Sequence, residues 1–301
     1  MRKRKGYLSD IVGSYGSTLI LAVLVIILAG CGKSTPEATA TPTRTPPPTA
    51  TPTPAFTATS PPPTATPTPS PTPTPEGVVL TPPPPDVNPL TGEKVADEAV
   101  LNRIPLAVKV SNSLEVRPQS GLSFADLVFE HFAEGGITRF TAVFYGTDVE
   151  QIGSVRSGRL IDLEIPAMYQ ALFAYSGSSA GVKERIRSSP LFPDQIAAPD
   201  FGTGKPYFYR VPREGLAFEH TLFTNTDVLR KLAEERGINK RPEYETWMAF
   251  SERVPEGGEP LTYFEINYLL NWCTAEWTYD EAAGHWTRST AGQIHTDYLT
   301  G

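Results

Sequence analysis

Between Gly32 and Pro89 the chain holds 20 of its 31 prolines, set among Thr, Ala and Ser in runs such as TPTPSPTPTP. Proline removes backbone donors and the residues between show no apolar period, so this tract cannot close a hydrophobic core. Residues 31–87 read as a disordered, polyproline-II-biased tether with a contour on the order of 150 Å. Its Thr and Ser density permits O-glycosylation. The plain repeat lacks the basic anchors of a proline-recognition ligand. A globular fold is left to the residues that follow.

The tether starts from a region of different character. Residues 1–30 open with Arg2, Lys3, Arg4 and Lys5, continue through the apolar run Thr18–Leu28, and end in Leu28-Ala29-Gly30 before Cys31. A basic start, a short apolar run and small residues before a cleavage point define a secretory signal. The run is short for a membrane span of about 20 residues. The pattern resembles the bacterial lipoprotein signal, with Leu28–Cys31 as its lipobox. That resemblance implies cleavage after Gly30, lipid on the Cys31 thiol, and a domain held at the extracytoplasmic face of the cell membrane. An uncleaved signal anchor is the alternative.

The whole chain has 26 basic and 33 acidic residues. Removing residues 1–30 leaves 22 against 32, a net charge near −10. Such a balance argues against nucleic-acid binding and against charge-driven adhesion to anionic lipid. Membrane contact would come through lipid on Cys31. Cys273 is the other cysteine, so neither a disulfide framework nor a cysteine metal cluster is expected, and it reads as a small buried residue. His131, His220, His285 and His295 show no metal-ligand spacing, and no cofactor motif is present. His220, beside Glu219, is the histidine most worth locating.

From about Val87 the composition turns globular. Strands are expected at Leu106–Val110, Phe124–Phe132, Ile137–Tyr145 and Ala171–Tyr175, and helices at Leu160–Tyr169 up to Pro166, Gly181–Ser188 and Asn225–Gly237. Thr224 with Asp227 is the expected cap of the last helix. Pro190–Gly215 reads as an ordered loop over a sheet edge. Further on, a strand at Leu261–Leu270 and a hairpin of Cys273–Asp280 with His285–Arg288 carry the cross-strand aromatics Trp277, Tyr279 and Trp286. The expected architecture is an α/β domain with a mixed sheet and flanking helices (88–245), followed by a small β-rich domain (253–301) that ends short.

The densest chemistry lies in Phe124–Ser179. Arg139 stands inside a run that reads as a strand buried on both faces, where a charge is costly unless paired. Gly135–Gly136 allow a hairpin that would bring Glu130 or Glu134 to it. Arg156 and Arg159 follow in VRSGR, at a strand-to-helix junction with Asp162 close by. Such a junction plus arginines can form an anion pocket; a buried ion pair and a solvated loop are the bland readings. No phosphate loop and no nucleophile elbow is present.

The segments Asn88–Gly92 (NPLTG), Arg117–Gly121 (RPQSG), Ala125-Asp126, Glu134–Arg139 (EGGITR), Val155–Arg159 (VRSGR) and Trp277–Asp280 (WTYD) resemble the YerB-like bacterial lipoproteins (DUF3048). The resemblance runs from about Asn88 to Gly301. It implies an α/β domain and a β-rich domain behind a lipoprotein signal, and it supplies no catalytic residues. Where the family often has Asn-His, this chain has Asn112-Ser113. Homologues usually continue past Gly301, which points to a truncated chain.

These readings favour a tethered binding domain without turnover, in which Arg139, Arg156 and Arg159 hold an anionic envelope ligand and Glu130 and Glu134 orient them. The alternatives are a phosphotransferase or hydrolase of a phosphate-linked envelope precursor, with Asp162 or Glu134 as base or metal ligand, and a scaffold for another envelope protein.

Overall fold

A computed structural model describes residues 82–301, except 246–247, 252–256 and 269–272. The signal and its Cys31, most of the tether, and the end of the expected strand at Leu261–Leu270 lie outside the described residues.

The strands are β1 (Leu106–Ser111), β2 (Leu127–Phe132), β3 (Thr138–Phe144), β4 (Ile152–Gly153), β5 (Leu172–Ala174), β6 (Ile196–Ala197), β7 (Tyr209–Arg210), β8 (Leu222–Thr224), β9 (Tyr263–Asn267), β10 (Thr274–Asp280), β11 (His285–Thr290) and β12 (Gln293–Ile294). The helices are α1 (Ile165–Met168), α2 (Ala180–Arg187) and α3 (Thr226–Glu235). The main sheet has the order β2-β3-β1-β5-β6. β1 runs antiparallel to β3 and parallel to β5. It is therefore a mixed sheet, and β1 and β3 are buried along their whole length.

Strand alternation sorts the core. Leu106, Val108 and Val110 join Phe140, Ala142 and Phe144 on one face, against Leu229, Leu232 and Ala233 of α3. Ala107, Val143, Phe173 and Tyr175 pack on the other face with Ile165 of α1 and Ile186 of α2. Helices on both faces explain why these strands are buried on both sides, their polar residues included. The glycines between β2 and β3 both have φ of +74°, as the expected hairpin requires.

A three-stranded sheet, β4-β8-β7, and a four-stranded sheet, β12-β11-β10-β9, complete the fold. The second is the expected β-rich unit. Tyr279 faces Trp286 and Trp277 faces Arg288 across its hairpin. All the described residues fall in one compact unit.

Several local expectations need correction. Asn225, not Thr224 with Asp227, caps α3: its side chain accepts from the Val228 amide at 2.8 Å. Leu160–Leu163 is a 3-10 turn, and Pro166 sits in the first turn of α1 instead of ending a helix, a position where its missing N–H costs nothing. Pro190–Gly215 is not one loop, because it contributes the edge strand β6 and the short β7. Phe124 closes a 3-10 turn before β2 begins.

Candidate anion site

The VRSGR segment is stitched across the carboxyl ends of the parallel strands β1 and β5. The Ser111 amide donates to Ser154 O, and the Arg156 amide donates to Lys109 O. The Ser176 amide then donates to Arg156 O and the Gly158 amide to Gly177 O. Ligands of α/β sheets bind at this end of the strands. Gly158 lies flat on the Tyr175 ring, where a Cβ would stand 3.1 Å from a ring carbon.

Arg139 is only 6% exposed. Its Nη1 donates to Ser157 O at 3.2 Å, and Arg159 Nη1 donates to the same oxygen at 3.1 Å. Two guanidinium groups thus converge on one carbonyl. Burial, followed by the Arg159 and Arg156 charges, pushes Arg139 down to about 10, which leaves it cationic at neutral pH. Among the described residues the buried Arg139 Nε meets no hydrogen-bond partner, and neither does the Arg159 Nε. Arg159 pairs with the exposed Glu134. Burial works against that carboxylate, but its own backbone amide and Arg159 outweigh it and hold it below the usual range. Arg156 turns aside, its Nη1 donating to Glu219 O at 3.0 Å.

Beneath the arginines lies a cluster that the sequence reading did not anticipate. Lys109 and Asp162 are both fully buried and 2.8 Å apart. Lys109 Nζ also meets Thr141 Oγ1 at 3.0 Å and contacts His131 Nε2. Asp162 further accepts from Thr141 Oγ1 at 2.7 Å and from the Arg159 amide at 2.6 Å. Burial pushes Lys109 down to about 8 against the pull of Asp162. Burial and then Lys109 push His131 down to about 4, so its ring stays neutral and accepts from the ammonium. Asp162 is saturated with donors. It fixes the Arg159 loop to β1 and β3, and it is closed to the role of base or metal ligand.

Glu130 belongs elsewhere. Arg139 faces His131 across the hairpin, whereas Glu130 faces Phe140, so a shift of one residue puts Glu130 on the opposite face of the sheet. There it makes a bidentate pair with Arg288, at 2.6 Å from Nη2 and 3.2 Å from Nε. It does not orient Arg139, Arg156 or Arg159. His220 is buried in a 3-10 turn with Nε2 3.1 Å from Glu115. Cys273 is buried, as expected, and its thiol donates to Tyr268 O. Among the described residues no group of three or more His, Cys, Asp and Glu side chains is placed to hold a metal, and no helix is long and apolar enough to cross a membrane.

The segments Asn88–Gly92, Arg117–Gly121 and Ala125-Asp126 tie distant parts of the fold together. Asn88 accepts from the Leu90 amide at 2.9 Å and donates to Asp126, which in turn accepts from the Tyr145 amide. This ties the start of the folded region to the end of β3. Gln119 O accepts from the Tyr298 amide at 2.7 Å. Asp297 accepts from the Gly121 amide at 3.0 Å, which joins the main sheet to the end of the β-rich unit.

Residues 90–239 match the family model described as "Protein of unknown function (DUF3048) N-terminal domain". The chain is 34% identical over 218 residues to the Bacillus subtilis (strain 168) protein named "Putative lipoprotein YerB", covering 71% of this chain and 62% of that protein, so less than two thirds of its length is spanned. The crystal structure of the YerB protein from Bacillus subtilis superposes with a TM-score of 0.59 at 32% identity, covering 71% of this chain and 70% of that one. This chain belongs to the YerB-like DUF3048 family.

Proposed function

We propose that the protein is a lipid-anchored, extracytoplasmic binding domain for an anionic ligand of the cell envelope, a phosphate or pyrophosphate group being the chemistry that fits. One observation carries the reading: the buried Arg139 and the half-buried Arg159 aim at a single carbonyl oxygen, Ser157 O, beyond the carboxyl ends of β1 and β5. A phosphate oxygen beside Ser157 offers both guanidiniums a charged acceptor in place of a neutral one, and charge-assisted bonds are roughly twice as strong. Glu134 is the counter-ion that leaves when the ligand arrives, because it is 72% exposed on its side chain and, among the described residues, Arg159 is its ion-pair partner.

Anchoring rests on the Leu28-Ala29-Gly30-Cys31 signal and on the name of the Bacillus subtilis relative. One acyl chain binds membranes only marginally, whereas two or three anchor stably. Cys31→Ser should shift the protein out of the membrane fraction and abolish labelling by a clickable fatty acid. Equal labelling of parent and C31S removes the anchor from this reading.

Phosphoryl transfer is the weaker reading because Asp162, its candidate base, is saturated by Lys109, Thr141 and the Arg159 amide. Titration calorimetry with inorganic pyrophosphate tests binding. Arg139→Gln should weaken it at least tenfold, the loss of about 1.4 kcal/mol or more expected for a charged bond. Equal affinity in the parent and R139Q sinks the site.

A further inference from the structure

On the opposite face of the main sheet, a cleft of about 480 Å³ opens between β2–β3 and the β10–β11 hairpin. One wall is Val128, Phe140 and Leu122. The other is aromatic: Trp277 stacks on Phe264 at 5.9 Å with 9° between the ring planes, and Trp286 meets Phe264 edge-on at 5.2 Å. Cross-strand pairing puts Phe264, Trp277, Arg288 and Trp286 on one face of that sheet. Both tryptophans are only half-buried, and Val128 (44%) and Ile294 (68%) are exposed at the rim. Large aromatic surface left open beside fixed polar groups marks a ligand cleft.

The polar floor decides the class of ligand. Glu130 and Arg288 neutralise each other in a bidentate pair. His295, 2.8 Å from Arg288 Nη1, is pushed down to about 3 by burial and then by Arg288 and Arg117, so it adds no charge. The Asp297 carboxylate is occupied by the Gly121, Ser123 and Leu299 amides. Among the described residues that line it, the floor therefore presents polar edges, and its one arginine, Arg288, is already paired. That differs from the arginine pair at Ser157, and it disfavours an anionic guest.

We infer that this cleft is a second binding site, for a neutral oligosaccharide. Sugar rings present a flat C–H face to indole and hydroxyl groups to planar side chains. Half-buried indole rings over a neutralised polar floor meet both. An alkyl chain would leave the Glu130–Arg288 pair facing hydrocarbon, and an anionic chain would find Arg288 already paired.

Calorimetry on the full chain with chitotetraose and maltotetraose tests the inference. Saturable binding of at least one is expected, with at least a tenfold loss in Trp286→Ala and a severalfold loss in Ile294→Asp. Ile294 is exposed enough that its substitution leaves the fold intact, so it guards against a W286A variant that fails to fold. Arg139→Gln should bind the sugar as the parent does, which separates this site from the anion site. Binding of neither sugar overturns the inference, as does unchanged affinity in I294D, or heat from dodecanoate where both sugars give none.

Discussion

The two faces of the β1–β3–β2 strands carry two polar clusters built on opposite terms. On one face Lys109, Asp162, Thr141 and His131 form a closed network beneath two converging arginines. On the other, Glu130 and Arg288 satisfy each other between two sheets, each with about a tenth of its side chain exposed. The first network holds a loop against its own sheet and leaves positive charge above it. The second joins two sheets and leaves no net charge. Burial alone does not tell them apart. What differs is whether the cations outnumber the carboxylates that face them.

The sharpest way to break this contrast is to unbalance the closed network. Lys109→Met removes the ammonium that faces the fully buried Asp162, and breaking one side of a buried pair costs about 3–5 kcal/mol. Urea unfolding should show that loss, and adding Asp162→Asn should recover part of it. A K109M variant as stable as the parent would mean that Asp162 is not held by this pair.

Glu130→Gln should cost less, about 2 kcal/mol, because Arg288 keeps His295 and the Phe140 ring as neighbours. The loss should be local. Hydrogen exchange should open β10 and β11 first while β1 and β3 stay protected. Uniform loss of protection across both sheets would contradict a joint that serves only to dock the second sheet.

Why the sequence showed one cluster in part and the other hardly at all follows from where partners sit. The two-sided burial of β3, the glycine turn before it and the aromatic hairpin were legible because each is written in consecutive residues. Lys109 was in view within LAVKV, and a lysine inside a buried strand is itself a signal that a carboxylate must meet it. Its partner lies 53 residues on, and no local pattern names it. Glu130 and Arg288 are 158 residues apart. Of Glu130 and Glu134, Glu130 misses Arg139 because of register: the glycine turn predicts the hairpin, but the side of the sheet depends on a shift of one residue.

Acid should act on both faces. The folded-state values of His131 (about 4) and His295 (about 3) lie below the usual 6.5. Below pH 6.5 the unfolded chain takes up protons that the folded chain refuses. Stability is therefore full above that pH and falls as pH drops, by up to about 1.4 kcal/mol per unit for each histidine. His131→Asn should flatten the slope between pH 6.5 and 4, measured by urea midpoints. An unchanged slope would show that His131 is not held neutral by burial and Lys109.

The smallest effect expected is at Gly158, and it separates loop position from charge. A methyl group there would stand 3.1 Å from the Tyr175 ring, closer than it can stay, so the loop must lift by a few tenths of an ångström. Gly158→Ala should cost about 1 kcal/mol of stability, at the low end for overpacking. Every charge in the site is kept. Ser157 O, however, is the oxygen on which Arg139 and Arg159 converge, and Gly158 O is a second acceptor for Arg159 at 2.9 Å. Lifting the loop moves both acceptors away from the guanidiniums, so pyrophosphate affinity should fall severalfold while sugar binding at the far face stays as it was. If G158A binds pyrophosphate as the parent does, bulk positive charge holds the anion and the geometry around Ser157 is incidental.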